Sequence, residues 1–320
     1  MIQGRLGLPA ESGYSVVIPN IRQPGIGRNQ AQSRNHPPSA RLRTAAGGRR
    51  QCRARGATRG TGPSARRGPV RPSALAMLPM MTLSTPTVQV VAPETFGATA
   101  AEHIAATLRV KPDAVLGLPT GNTPVPVYAA LLARRDVNFS RARVAMLDEY
   151  LGAGDRPISF YQWLRSHFLA AAAIAPERIL RMPSDPEGIA AACAAYDRQL
   201  EQWGGCDLQL LGLGLNGHIG FNEPGSSGDS ATRVVPLSAS TRDANEEYWQ
   251  GEEVPEFGVT TGIGVILRAK RIILLVNGAR KAAKLRQALD GPIGPDCPAS
   301  FLRRHRDVLV LADRAAAGQD

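Results

Sequence analysis

Residues 212–225 read Gly-Leu-Gly-Leu-Asn-Gly-His-Ile-Gly-Phe-Asn-Glu-Pro-Gly, which sets His218 and Glu223 in one glycine-rich stretch. An imidazole changes charge near neutral pH, so His218 can take up or release a proton while a carboxylate orients or charges it. The glycines permit a contorted loop around those side chains. The run does not match GxGxxG, because Asn216 and Gly217 break the spacing. A single loop histidine is ordinarily structural, but this density of glycine with His, Asn and Glu is not that of a plain connector.

Three further runs could join it. Residues 146–150, Met-Leu-Asp-Glu-Tyr, end an apolar segment with two adjacent acids, Asp148 and Glu149. Neighbours in an extended chain point to opposite faces, so one carboxylate can enter a site while the other pairs outside it. Taken alone, the pair also reads as an acidic surface loop. Residues 116–124, Leu-Gly-Leu-Pro-Thr-Gly-Asn-Thr-Pro, combine a strand, a tight turn and a helix start. Gly121 allows close backbone approach, Thr120 and Thr123 offer hydroxyls, and the N–H groups opening the helix suit a phosphate. No Gly-Lys-Ser/Thr follows, so it is not a Walker loop, and an ordinary Thr-capped turn is the competing reading. Residues 277–281, Asn-Gly-Ala-Arg-Lys, open another helix; Lys281 could reach an anion, or Arg280 and Lys281 could form a solvated helix start.

These runs need elements to hold them. Short apolar segments at 88–92, 114–118, 144–147, 208–211, 272–276 and 308–312 predict strands, with 233–237 as an edge strand. Helical patterns fall at 96–110, 124–132, 160–172, 186–203 and 279–289. The alternation predicts one doubly wound, Rossmann-like α/β domain over 81–320 with a mostly parallel sheet. Ligands in such sheets sit beyond the carboxyl ends of the strands, and all four runs follow strands.

The net charge of +11 does not belong to that domain. Residues 1–76 carry fourteen arginines, no lysine and one acid, which leaves the remainder close to neutral. A bulk-charge argument for a nucleic-acid partner therefore fails for the globular part. Residues 1–80, rich in Arg, Pro and Gly, are expected to be disordered, because they could bury too little apolar surface to offset chain entropy. A nucleic-acid arm, a transit peptide and upstream sequence from a mistaken start are the competing readings. Met77, Met80 and Met81 just before the first strand favour the last. The four cysteines form no CxxC pair, which suits free thiols in a reducing cytoplasm. No run of 18 apolar residues is present to span a membrane.

Together and in this order, the four runs resemble the glucosamine-6-phosphate deaminase family, from about Leu83 to Ala312. Gly-His-Ile-Gly-Phe-Asn-Glu-Pro and Leu-Asp-Glu-Tyr carry most of the specificity. The resemblance implies isomerisation and deamination of glucosamine 6-phosphate to fructose 6-phosphate and ammonia, within amino-sugar catabolism. It implies that Asp148 moves a proton between C2 and C1, and that His218 opens the pyranose ring, flanked by Asn216 and Glu223. It further implies that Thr120, Gly121, Asn122, Thr123 and Lys281 hold the substrate phosphate, with no metal or nucleotide cofactor. Position 216 is Asp in some members; an Asn cannot hold that charge, so His218 should lean more on Glu223. The expected setting is a cytoplasmic monomer or small homo-oligomer.

Two departures from the family pattern stand out. A phosphate-holding arginine falls by gapless count at Glu247, with Arg233 or Arg242 as possible substitutes. The C-terminal extension of the allosterically activated hexameric members is missing, which predicts a simple, unregulated enzyme. Galactosamine-6-phosphate deaminase, 6-phosphogluconolactonase and a non-catalytic sugar-phosphate sensor are the alternative functions.

Overall fold

The structure, a computed structural model, describes residues 85–249 and 251–319. The Arg-rich N-terminal segment, with the expectation of disorder attached to it, lies outside the described residues. In chain order the elements are β1 (Thr87–Val91), α1 (Pro93–Val110), β2 (Val115–Leu118), α2 (Val125–Leu132), β3 (Arg143–Met146), β4 (Asp148–Tyr150) and α3 (Phe160–Leu164). There follow β5 (Ile179–Leu180), α4 (Ile189–Gln202), β6 (Leu208–Gly212), β7 (Arg233–Pro236), α5 (Ala239–Asn245), β8 (Phe257–Thr260) and α6 (Ile263–Ile266). The chain closes with β9 (Arg271–Val276), α7 (Ala282–Asp290), β10 (Val308–Asp313) and α8 (Arg314–Ala317).

Seven strands form one parallel sheet in the order β1-β10-β9-β6-β2-β3-β5. Its middle strands are buried along nearly their whole length, which is why β9 and β10 read as unbroken apolar runs and not as alternations. Helices pack on the sheet through apolar stripes such as Phe96, Ala100, Ile104 and Leu108 of α1.

The winding fixes where a ligand can bind. From β2 the chain moves outward through β3 to β5, then returns through α4 to β6 on the other side of β2 and continues away to β9 and β10. The direction therefore reverses between β2 and β6, and a crevice opens beyond their carboxyl ends.

A second sheet has no counterpart in the sequence reading. β8 pairs antiparallel with β4 on one side and β7 on the other, with Thr260 opposite both Asp148 and Arg233. The strand expected at 233–237 is thus an edge strand of this small sheet and not of the large one. β4 escaped notice because it is three residues long and two of them are acids. The helix expected over 160–172 is α3 followed by a π-helical turn at Arg165–Leu169, which buries the adjacent Phe168 and Leu169.

Candidate active site

One cleft of about 250 Å³ gathers the runs singled out above. The turn after β2 contributes Thr120, Gly121, Asn122 and Thr123; β4 contributes Asp148; the loop after β6 contributes Asn216 and His218; and the turn after β9 contributes Lys281. All of them follow the carboxyl ends of neighbouring strands.

The β2 turn is held open by Gly121, whose φ of 93° lies in the left-handed region that other residues avoid. One of its hydroxyls is tied to the β9 turn: Thr123 Oγ1 donates to Asn277 Oδ1 (2.8 Å), and Lys281 Nζ donates to Thr123 Oγ1 (3.1 Å). Burial holds the Lys281 ammonium below the usual lysine range, against the opposing charge of Asp313. Half-buried cation, hydroxyls and the N-terminus of α2 converge at this end, which suits an anion.

At the other end lies Asp148. Its backbone is pinned by the ladder to β8, extended by Thr261 N–H donating to Leu147 C=O (2.8 Å). The residue is 7% exposed. Burial, reinforced by the neighbouring Glu149 charge, raises the carboxyl to about 8. The alternation along β4 sends Glu149 the other way. Glu149 accepts the backbone N–H groups of Tyr150, Phe160 and Tyr161, each at 2.9 Å, and so anchors the start of α3. Glu149→Ala would strand those N–H groups at a cost of about 3 kcal/mol, and a domain of this size loses about 2–4 °C per kcal/mol. A Tm lowered by roughly 6–12 °C in scanning calorimetry is expected; an unchanged Tm would contradict this anchoring role.

The β6 loop folds back on itself, with Gly214 N–H donating to His218 C=O (2.9 Å). The imidazole lies against Gly214 so closely that a Cβ there would stand 2.3 Å from both Cε1 and Nε2. Glu223 does not line the cleft and lies behind the ring, its Oε2 3.7 Å from His218 Nδ1. Burial alone would raise the Glu223 carboxyl, but the nearby His218 and the hydrogen bond from Asn216 outweigh it and hold it at about 2. Asn216 donates from Nδ2 to Glu223 Oε2 (2.6 Å) and accepts His218 N–H at Oδ1 (3.1 Å).

The expected phosphate-site substitutes do not reach the cleft. Arg233 donates instead to Asn222 Oδ1 and Ser226 Oγ, both at 2.9 Å, and Arg242 is absent from the cleft lining. The side chain of Glu247 lies outside the described residues. One wall was approached in the sequence only through Glu247 and Arg242, without its lining residues: Ser240, Thr241, Ala244 and Asn245 of α5, with Phe160 of α3. A local signal for that wall was Ser238, which caps α5 by accepting Thr241 N–H (3.2 Å). Among the described residues no cluster of His, Cys, Asp and Glu could hold a metal ion, and no helix is long and apolar enough to cross a membrane.

Residues 90–311 match the family model described as glucosamine-6-phosphate isomerases/6-phosphogluconolactonase. The chain is 44% identical over 226 residues to the glucosamine-6-phosphate deaminase of Arthrobacter sp. (strain FB24), covering 69% of this chain and 87% of that one. It is 42% identical over 223 residues to glucosamine-6-phosphate deaminase 1 of Bacillus subtilis (strain 168), covering 68% and 92%. A solved monomeric glucosamine-6-phosphate deaminase superposes with a TM-score of 0.71 at 40% identity, covering 73% of this chain and 100% of the other. The 6-phosphogluconolactonase of Trypanosoma cruzi superposes with a TM-score of 0.58 at 21% identity, covering 73% and 97%, a likeness of fold alone.

Proposed function

This chain belongs to the glucosamine-6-phosphate isomerase/6-phosphogluconolactonase family, and from that premise we propose that it converts glucosamine 6-phosphate and water to fructose 6-phosphate and ammonia. The observation that carries this reading is the joining of the buried Asp148 and of His218, backed from outside the lining by Glu223, to an anion-binding end in one cleft. Identity above 40% to deaminases, over most of their length, supports the same substrate.

The geometry supports the following roles. Thr120, Gly121, Asn122, Thr123 and Lys281 hold the phosphate, with the N–H groups of α2 adding positive potential. His218 Nε2 takes the proton of the C1 hydroxyl and returns it to the ring oxygen as the C1–O5 bond breaks, leaving an open-chain aldehyde. Glu223, behind the ring, stabilises the imidazolium formed in between. The Asp148 carboxylate then removes the C2 proton, made acidic by the C1 aldehyde, while the C1 oxygen takes up a proton given off by the C2 ammonium, and Asp148 delivers its proton to C1 of the enolamine. The resulting C2 imine adds water and releases ammonia. This chemistry draws on proton transfer and charge stabilisation by side chains. The reading extends to action in the cytoplasm as a monomer or small homo-oligomer; the similar solved deaminase is itself monomeric.

The purified protein, given glucosamine 6-phosphate, galactosamine 6-phosphate and 6-phosphogluconolactone separately, should release ammonia and fructose 6-phosphate from the first. No ammonia from glucosamine 6-phosphate would reject the proposal. The pH dependence adds a second check. Asp148 acts as its carboxylate and titrates at about 8, so kcat/KM should climb with pH, about tenfold per unit, until it levels near that value. A flat kcat/KM between pH 6 and 8 would remove Asp148 from the role of base.

A further inference from the structure

Behind the His218 imidazole, the polar side chains leave an imperfect pair. Glu223 Oε2 stands 3.7 Å from Nδ1, beyond hydrogen-bond length. Asn216 cannot complete the link, because Oδ1 already accepts His218 N–H and Nδ2 donates to Glu223 Oε2 and, at 3.4 Å, to Ser238 Oγ. The nearer group is a hydroxyl from another element: Thr241 Oγ1 of α5, 3.4 Å from Nδ1. Thr241 is buried, and its Oγ1 also accepts the Ser238 hydroxyl at 3.0 Å.

The valences close around this hydroxyl. A threonine Oγ1 has one proton to give and two lone pairs to fill. Ser238 fills one lone pair, Nδ1–H can fill the second, and the proton is then left to turn toward the Glu223 carboxylate behind the ring. Ser238 is in turn fixed as the N-cap of α5, so the hydroxyl's position is set by a helix start and not by the glycine-rich loop.

We infer that Thr241 is a positioning residue for His218, its hydroxyl bridging the imidazole Nδ1–H to the Glu223 carboxylate and so keeping Nε2 free to act on the substrate. The inference rests on the reading of His218 as the ring-opening base. With Asn at position 216 spent on Glu223, the orienting contact to the ring comes from α5. In the ring-opening step Nε2 gains the C1 hydroxyl proton and becomes imidazolium, and Nδ1–H stays on the Thr241–Glu223 side throughout. Loss of the hydroxyl lets the neutral ring adopt the other tautomer, in which Nε2 carries the proton and cannot accept one.

The test compares Thr241→Val, which keeps shape, with Thr241→Ser, which keeps the hydroxyl. Thr241→Val should lower kcat about 10- to 100-fold, the size of a lost charge-assisted hydrogen bond, with KM nearly unchanged, and Thr241→Ser should restore most of it. The ¹⁵N spectrum of His218 should report Nδ1–H in the wild type and a tautomer mixture in Thr241→Val. A wild-type kcat for Thr241→Val, equal impairment of both variants, or an unaltered His218 tautomer would overturn the inference. His218→Gln, run alongside, separates the two ideas: if it kept full turnover of the cyclic sugar, the base assignment would fall, while the tautomer spectrum would still decide the role of Thr241.

Discussion

Asp148→Asn is expected to remove activity and raise stability in the same molecule. The asparagine matches the carboxyl in shape, so β4 keeps its pairing with Thr260 of β8 and the cleft keeps its walls. It cannot take the C2 proton, and turnover should fall by about 10²–10⁴-fold, the range for a positioned general base. The stability effect follows from the same burial. The carboxyl sits at about 8 in the fold against an ordinary value near 4, so the folded state holds its proton more tightly than the unfolded chain does. That contribution is fully present below the unfolded value and is lost as pH rises through about 8. Below about pH 4, under the unfolded value, the two proteins should melt together. At pH 9 the wild type must bury a carboxylate beside Glu149, and the variant need not. By linkage the gap between about 4 and about 8 corresponds to an advantage of about 5 kcal/mol, or roughly 10–20 °C in Tm, there. A variant that melts lower than wild type at pH 9 would show that Asp148 is paired in a way the cleft does not provide.

Gly214→Ala carries the second large effect. The backbone at Gly214 is one that alanine can adopt, since its φ is not among the positive values. The obstacle is the imidazole: Cε1 and Nε2 would lie 2.3 Å, and Cδ2 2.4 Å, from the new Cβ. Ordinary carbon contacts are about 3.5 Å, so the ring must retreat by about 1 Å. A displacement of that size in a catalytic group costs about 10²-fold in rate. The same push moves Nδ1 against Thr241 and Glu223, the two groups on its other side. Overpacking costs about 1–3 kcal/mol, which leaves the domain folded. The expected signature is a folded protein with circular dichroism like the wild type and kcat reduced by about two orders of magnitude. Full activity would mean that His218 does not work from the position it occupies here.

The parallel sheet was legible because its strands are buried on both faces: Ile272–Val276 and Val308–Ala312 leave no other reading once helices flank them. The residues of the cleft were legible because side chains of functional type follow those strands, as they do at a switch point. What escaped did so for physical reasons. Asp148 is held by a strand of three residues whose pairing partner lies more than a hundred positions away, and no local periodicity signals such a ladder. The wall formed by Ser240, Thr241, Ala244 and Asn245 belongs to a seven-residue helix of small and polar residues, with no apolar stripe to predict which face turns inward. Arg233 looked available as a phosphate ligand from its charge alone. Its geometry commits it to Asn222 and Ser226, which only the folded β6–β7 connection brings within reach. Glu223 was read beside His218 from spacing, whereas the hydroxyl that stands nearer the ring, Thr241, is supplied from another part of the chain.

The most direct test follows the C2 hydrogen. Glucosamine 6-phosphate deuterated at C2 should yield ammonia and fructose 6-phosphate in equal amounts, with a primary isotope effect on the rate. Part of the deuterium should appear at C1 and the rest in solvent, and Asp148→Asn should give neither product. Ammonia released without fructose 6-phosphate, or the same isotope pattern from Asp148→Asn, would contradict the assignment of this cleft as the site of a carboxylate-driven isomerisation and deamination.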